Sequence, residues 1–167
     1  MFNKEADFEK ALIALLATKS WEKEVLLYPT EEELIANWQE HLDKTNQHID
    51  KLDVPLLRTE MNQILEQVQA LKTPYALNGF INGKTVAIKR ENEKSRHFGK
   101  EVSLDIFDRE EISAGKSRYQ IAQQPRFSPR SDLYPKQRGD LMLLINGMPM
   151  FHIELKRSSV PISQATY

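Results

Sequence analysis

Apolar residues recur at helical spacing over three stretches in the first half of the chain, then alternate or run in short blocks through the second. From Ala6 to about Lys19, Phe8, Leu12, Leu15 and Leu16 form a stripe that predicts a helix, with Glu9 and Lys10 outside or beside it. Pro29 resets the chain. Thr30 and Glu33 then form a capping-box pattern ahead of EELIANWQEHL, in which Leu34, Ile35, Trp38 and Leu42 can cover a core. Pro55 opens a third helical pattern, where Leu57, Met61, Ile64, Leu65, Val68 and Leu71 recur until Pro74 stops it.

After Pro74 the period shortens. YALNGFINGKTVAIKRE holds short apolar and aromatic runs punctuated by glycine, and EVSLDIFD alternates Val102, Leu104 and Ile106 against Ser103 and Asp105. SRYQIAQQPRF predicts a further extended segment, broken at Pro125. From Phe127 to Gly139, prolines, glycine and basic residues predict a connection near the surface. Leu141 to Ile145 is a continuous apolar strand, Asn146-Gly147 a hairpin turn, and Met150 to Leu155 the return strand. Helices followed by strands predict an α/β chain with an α+β-like mixed sheet. A length of 167 residues suits one core.

Composition changes this picture only when read by region. The formal charge is −1 overall, yet Met1 to Lys72 holds 8 basic and 14 acidic side chains while Ile112 to Tyr167 holds 8 basic and 3 acidic. The second region can attract an anion that the first repels. Cysteine is absent, which excludes disulfides and thiolate metal sites. The acidic, amphipathic opening supports neither a signal peptide nor a membrane span, so a soluble intracellular location is expected. No Gly-rich run precedes a Lys and a Ser or Thr, and no nucleotide-phosphate loop is predicted.

The chemistry concentrates in the last hairpin. Strand alternation sends Phe151, Ile153 and Leu155 toward a core and His152, Glu154 and Lys156 to the opposite face. Asp140 begins the preceding strand, and a turn lengthened by Met148 and Pro149 moves its partner on the return strand toward Glu154. Two close carboxylates repel unless a cation separates them, and Mg²⁺ suits carboxylate oxygens, water and the backbone carbonyl of Leu155. Lys156 can then orient an attacking water and counter charge on a phosphate. His152 is read as packing beside this site rather than as a metal ligand. From spacing alone, a strand-end ion-pair cluster explains the same three charges equally well.

Asp140, then Glu154-Leu155-Lys156, within RGDLMLLINGMPMFHIELKR, resembles the Asp, Glu-x-Lys signature of the PD-(D/E)xK nucleases, and within them the nuclease domain of type I restriction endonuclease R subunits. The preceding SRYQIAQQPRF is similar to that family's strand before the catalytic hairpin, which places Gln123 or Gln124 as site support; FEKALIALL is similar to its first core helix. The resemblance implies that Asp140 and Glu154 bind Mg²⁺ and that Lys156 supports phosphodiester hydrolysis. It also makes Glu9 a candidate fourth contact to the metal, whereas the stripe leaves Glu9 facing solvent. Gly139 stands where the motif's name has proline, and the spacing of Gln164 and Tyr167 is too short for the family's Gln-x-x-x-Tyr motif.

The resemblance further implies a PD-(D/E)xK core flanked by helices, expected here as an amino-terminal endonuclease domain over residues 1–167, lacking its final core elements and the motor. Implied partners are double-stranded DNA and the specificity and methyltransferase subunits of a bacterial or archaeal cytoplasmic complex, with ATP used only by the motor. Lys116, Arg118, Arg126, Arg130, Lys136 and Arg138, opposed only by Asp132, are the expected phosphate contacts. Lys89, Arg90, Lys94, Arg96 and Lys100 form a second basic run, weakened by Glu91 and Glu93. Residues 1–167 alone are expected to cleave DNA weakly or not at all. The competing expectation is a noncatalytic DNA-binding or assembly domain on a degenerate nuclease fold.

Overall fold

The computed structural model describes residues 5–47, 49–50, 52–71, 73, 85–107, 114–127 and 140–155. Among them the order is α1 (Glu5–Ala17), β1 (Val25–Leu27), α2 (Glu31–Thr45), α3 (Arg58–Gln69), β2 (Thr85–Lys89), β3 (Glu101–Asp105), β4 (Tyr119–Gln123), β5 (Leu141–Ile145) and β6 (Met148–Ile153). Helices and sheets are mixed, as the pattern predicts. The chain forms two compact units, Met1–Leu34 with Arg118–Tyr167, and Ile35–Ser117. No helix among the described residues is long and apolar enough to cross a membrane.

The first unit is built on a four-stranded sheet in the order β1-β4-β5-β6. β1 runs parallel to β4, while β4–β5 and β5–β6 are antiparallel. Alternation divides the sheet's side chains between two apolar clusters. Ile121, Leu141 and Leu143 pack with Leu12, Ile13 and Leu16 of α1 and with Trp21, Val25 and Ile153. Ala122, Met142 and Leu144 pack with Leu34 of α2 and with Leu26 and Phe127. β5 therefore has a buried face on both sides, the physical reason for its unbroken apolar run.

Three local expectations change. The inward stripe of α1 is Glu9, Leu12, Ile13 and Leu16, while Phe8 and Leu15 are 43% and 56% exposed. That stripe has the same i, i+3, i+4, i+7 spacing as an apolar one, but its first member is a carboxylate, so apolar periodicity rotates the helix wrongly. β1 is a strand that the pattern does not announce, because a three-residue run is too short to show alternation. Phe151 is 56% exposed, although its neighbours Ile153 and Leu155 are covered. β6 is the sheet's edge, and the cover over β5 does not extend across it.

The second unit joins most of α2 to α3 and the β2–β3 ribbon. Thr30 and Glu33 close the predicted capping box at the start of α2: the Thr30 N–H donates to Glu33 Oε2 at 2.7 Å, and the Glu33 N–H to Thr30 Oγ1 at 3.2 Å. Trp38 and Leu42 on α2 and Met61 and Ile64 on α3 are buried, as their spacing requires. Gln63 covers the free edge of β2, accepting from the Lys89 N–H at 2.8 Å and donating to its carbonyl at 3.0 Å; Gln67 donates to the Ala87 carbonyl. Arg90 leaves the second basic run altogether. Its guanidinium is fully buried, 2.9 Å from Glu60, and also donates to the Val54 carbonyl.

Candidate active site

The turn between β5 and β6 is shorter than expected, and an irregularity within the ladder compensates. Ile145 pairs with Met148, so the loop is only Asn146-Gly147, with φ of 49° and 78° at the two residues. Positive φ at both central positions is the hairpin turn that asparagine and glycine favour. Asn146 is further fixed because its side-chain oxygen accepts from the Arg118 N–H at 2.7 Å and its own N–H donates to the Arg118 carbonyl. Leu144 pairs with Pro149, but Leu143 pairs with Phe151, which leaves Met150 as the extra residue of a β-bulge.

The bulge decides which residues meet at the far end. The ladder ends with Met142 opposite His152 and Leu141 opposite Ile153. The next residue on each strand is then Asp140 and Glu154. A regular two-residue hairpin would instead set Asp140 against Ile153, and a one-residue slip exchanges the faces of a strand. Asp140 is fixed at this position: its Oδ2 accepts a hydrogen bond from the Leu155 N–H, and its carbonyl accepts from the Gln124 N–H at 2.8 Å. Asp140 and Glu154 are both partly buried, and Leu155 is buried.

A third carboxylate approaches from α1. Glu9 is only 5% exposed, its Oε2 accepts from Gln124 Nε2 at 3.3 Å, and its Oε1 is buried with no hydrogen-bond partner among the described residues. Gln124 thus bonds the Glu9 side chain and the Asp140 backbone at once, from a left-handed conformation with φ of 47°. An unsatisfied buried oxygen costs about 1–3 kcal/mol, more when charged, and such groups recur at sites for ions. Oxygen donors alone, with one of them uncompensated, fit a hard cation such as Mg²⁺. Among the described residues no three His, Cys, Asp or Glu side chains gather closely enough to enclose a metal ion. The carboxylates available are the pair Asp140 and Glu154, with Glu9 tied alongside through Gln124.

The remaining expected site residues separate. Gln123 ends β4, is partly buried, and accepts the Tyr28 N–H through its carbonyl at 2.9 Å. Arg118 is held by Glu22 through two hydrogen bonds of 2.6 and 2.8 Å, so its charge is compensated within the protein. Arg126 is exposed, with its guanidinium 5.2 Å from the centroid of the Tyr28 ring. Lys116 is exposed in the second unit. Lys156, Arg130, Lys136 and Arg138 lie outside the described residues. Tyr28, which reads in sequence as a packing residue, is instead 46% exposed beside Arg126.

Residues 3–167 match the family model described as Type I restriction enzyme R protein N terminus. The chain is also 28% identical over 166 residues to the Type I restriction enzyme SsaAORF53P endonuclease subunit of Staphylococcus saprophyticus subsp. saprophyticus, covering 99% of this chain and 16% of that protein. The chain therefore spans a small fraction of the length of that relative. With the family model matching nearly every residue, this chain belongs to the family of type I restriction enzyme R protein N-terminal regions.

Proposed function

We propose that this region is the nuclease part of an ATP-dependent type I restriction-modification complex and hydrolyses phosphodiester bonds of double-stranded DNA with Mg²⁺. The observation that carries the proposal is the bulged register, whose last pair, Leu141 opposite Ile153, leaves Asp140 and Glu154 as the next residue along each chain segment. Family membership supports the restriction role, and the relative's name specifies an endonuclease subunit. Asp140, Glu154 and the Leu155 carbonyl would hold the cation, with Glu9 as a further oxygen donor. When bound, Mg²⁺ supplies positive charge against the scissile phosphate.

The chain's own groups supply the rest. Asp140 is oriented by the Leu155 N–H and by the Gln124 contact to its carbonyl, and its other carboxylate oxygen has no hydrogen bond among the described residues. Lys156 follows Leu155 directly and is assigned to orient the attacking water and to counter charge on the phosphate as the P–O bond breaks. Exposed Arg126, with Arg130, Lys136 and Arg138, is assigned to backbone phosphates, whereas Arg118 is engaged by Glu22. ATP belongs to a motor elsewhere in the complete protein, and target recognition to a specificity subunit, with methyltransferase subunits as further partners.

The test is DNA cleavage by the assembled complex carrying Lys156→Ala. Cleavage should fall at least about 100-fold, the usual scale for losing a general acid–base group, while ATP hydrolysis and assembly persist. Undiminished cleavage would remove Lys156 from the chemistry. If Asp140→Asn and Glu154→Gln also left cleavage intact, the noncatalytic reading would replace this one.

A further inference from the structure

We infer that Tyr28 and Arg126 form a contact for the phosphodiester backbone of one DNA strand beside the proposed cutting centre. This rests on the nuclease reading above. Tyr28 follows β1 and Arg126 lies beyond β4, and the two chain segments continue side by side past the ends of the parallel strands. The Tyr28 N–H donates to Gln123, the Arg126 N–H to Pro29 at 2.8 Å, and Thr30 bridges Arg126 in parallel. Gln124, between these contacts, bonds Asp140 through its backbone. Tyr28, Gln123–Gln124 and Asp140 therefore follow one another across adjacent strand ends.

Tyr28 is an unusual residue for its position. Its φ is 53°, a left-handed conformation that is uncommon for a bulky side chain. Burial of the ring does not explain that strain, because Tyr28 remains 46% exposed. In this conformation the ring lies beneath the Arg126 guanidinium, whose Cζ is 5.2 Å from its centroid. A guanidinium held over an aromatic face keeps its charge and its in-plane N–H donors.

Arg126 also differs from Arg118 in what surrounds it. Among the described residues no carboxylate forms an ion pair with it. Glu33 acts on it electrostatically, but that carboxylate already accepts from the Thr30 N–H and hydroxyl. The Tyr28 hydroxyl has no protein partner among the described residues either. An oriented guanidinium with no ion pair among the described residues, next to a phenol, is a pair of donors for anionic oxygens, and duplex DNA presents phosphate oxygens uniformly along its outside. The contact would position a strand without reading its sequence.

The complete R protein carrying Asp140→Asn, to prevent cutting, is titrated with short duplexes of different sequence at several salt concentrations. Adding Arg126→Gln should weaken binding equally for every sequence and lower the slope of log affinity against log salt by about one. Adding Tyr28→Gly should weaken binding about 3–10-fold, the range expected when a desolvated cation–π partner is removed. Glycine accepts positive φ, so that variant should melt no lower than its parent. Parental affinity and salt slope in both variants overturn the inference, while a DNA affinity lost only together with melting temperature assigns Tyr28 to structure and also overturns it. Cleavage by the otherwise unaltered protein, compared with Asp140→Asn, tests the nuclease reading separately.

Discussion

At the scale of single residues, burial and hydrogen bonding set several charges apart from their ordinary behaviour. Glu60 and Arg90 are fully buried as a pair, and Glu60 also accepts from the backbone N–H groups of Leu57 and Glu91. Removing one member of such a pair leaves a buried charge and typically costs about 3–5 kcal/mol. This explains why an arginine within a basic run is unavailable to a ligand. Two aspartates in the same unit respond to pH in opposite directions. Burial raises the Asp43 carboxyl above its ordinary 3.8, only partly offset by the Leu56 N–H. The Ser95 hydroxyl and the Arg96 N–H hold the Asp53 carboxyl well below the usual range.

The signs follow from proton linkage. Folded Asp43 binds its proton more tightly than the unfolded chain does, so its ionisation lowers stability as pH rises above about 3.8 through the raised folded value. Asp53 contributes stability above its unfolded value near 3.8 and loses it as pH falls toward the depressed folded one. Asp43→Asn should therefore raise the melting temperature at pH 7 relative to its effect at pH 3. Asp53→Asn should lower it at pH 7, with the deficit shrinking on acidification. Melting curves from pH 2 to pH 8 check both, and parallel shifts at every pH would contradict them.

At the scale of elements, the extent of β5 is visible in sequence because a strand buried on both faces must be apolar throughout. The turn residues are equally visible, since Asn146-Gly147 suits two successive positive φ values. The bulge at Met150 has no comparable mark. An extra residue in a ladder is chosen by how both flanking pairs pack, and Met148-Pro149 reads as a longer turn until its partners are known. Deleting Met150 should remove the bulge while keeping Leu143 opposite Phe151 and Leu141 opposite Ile153, so the hairpin should fold and metal-dependent cleavage should persist. Nuclease assays with circular dichroism test this, and cleavage lost with native spectra would show that the bulge does more than set the register. α1 offers the converse case: its helical period is legible, but its rotation is not, because Glu9 occupies an inward position that hydrophobicity alone assigns outward.

Across the whole first unit, the candidate site draws on α1 for Glu9, the residue after β4 for Gln124, the residue before β5 for Asp140 and the residue after β6 for Glu154. A cation there would offset repulsion between carboxylates and the cost of Glu9's unpartnered oxygen. Calorimetry of the complete protein with Mg²⁺ should show binding that Asp140→Asn or Glu154→Gln weakens at least 10-fold, with Glu9→Gln weakening it less. Equal affinity in all three variants would place the cation elsewhere. Metal binding is a readout independent of cleavage, so it distinguishes a lost ligand from a lost proton-transfer group.

Sequence by itself determined the three helices, the apolar central strand, the Asn-Gly turn and the residue types Asp140, Glu154 and Lys156, because each depends on local periodicity, backbone preference or a motif within one hairpin. Only the tertiary structure decided the bulged register that sets Asp140 against Glu154, the inward turn of Glu9, the neutralising Glu22 on Arg118 and the Tyr28 platform under Arg126. Those features depend on partners distant in sequence. Arg118 and Arg126 carry the same charge and differ in surroundings because the fold supplies one with a carboxylate and the other with an aromatic face.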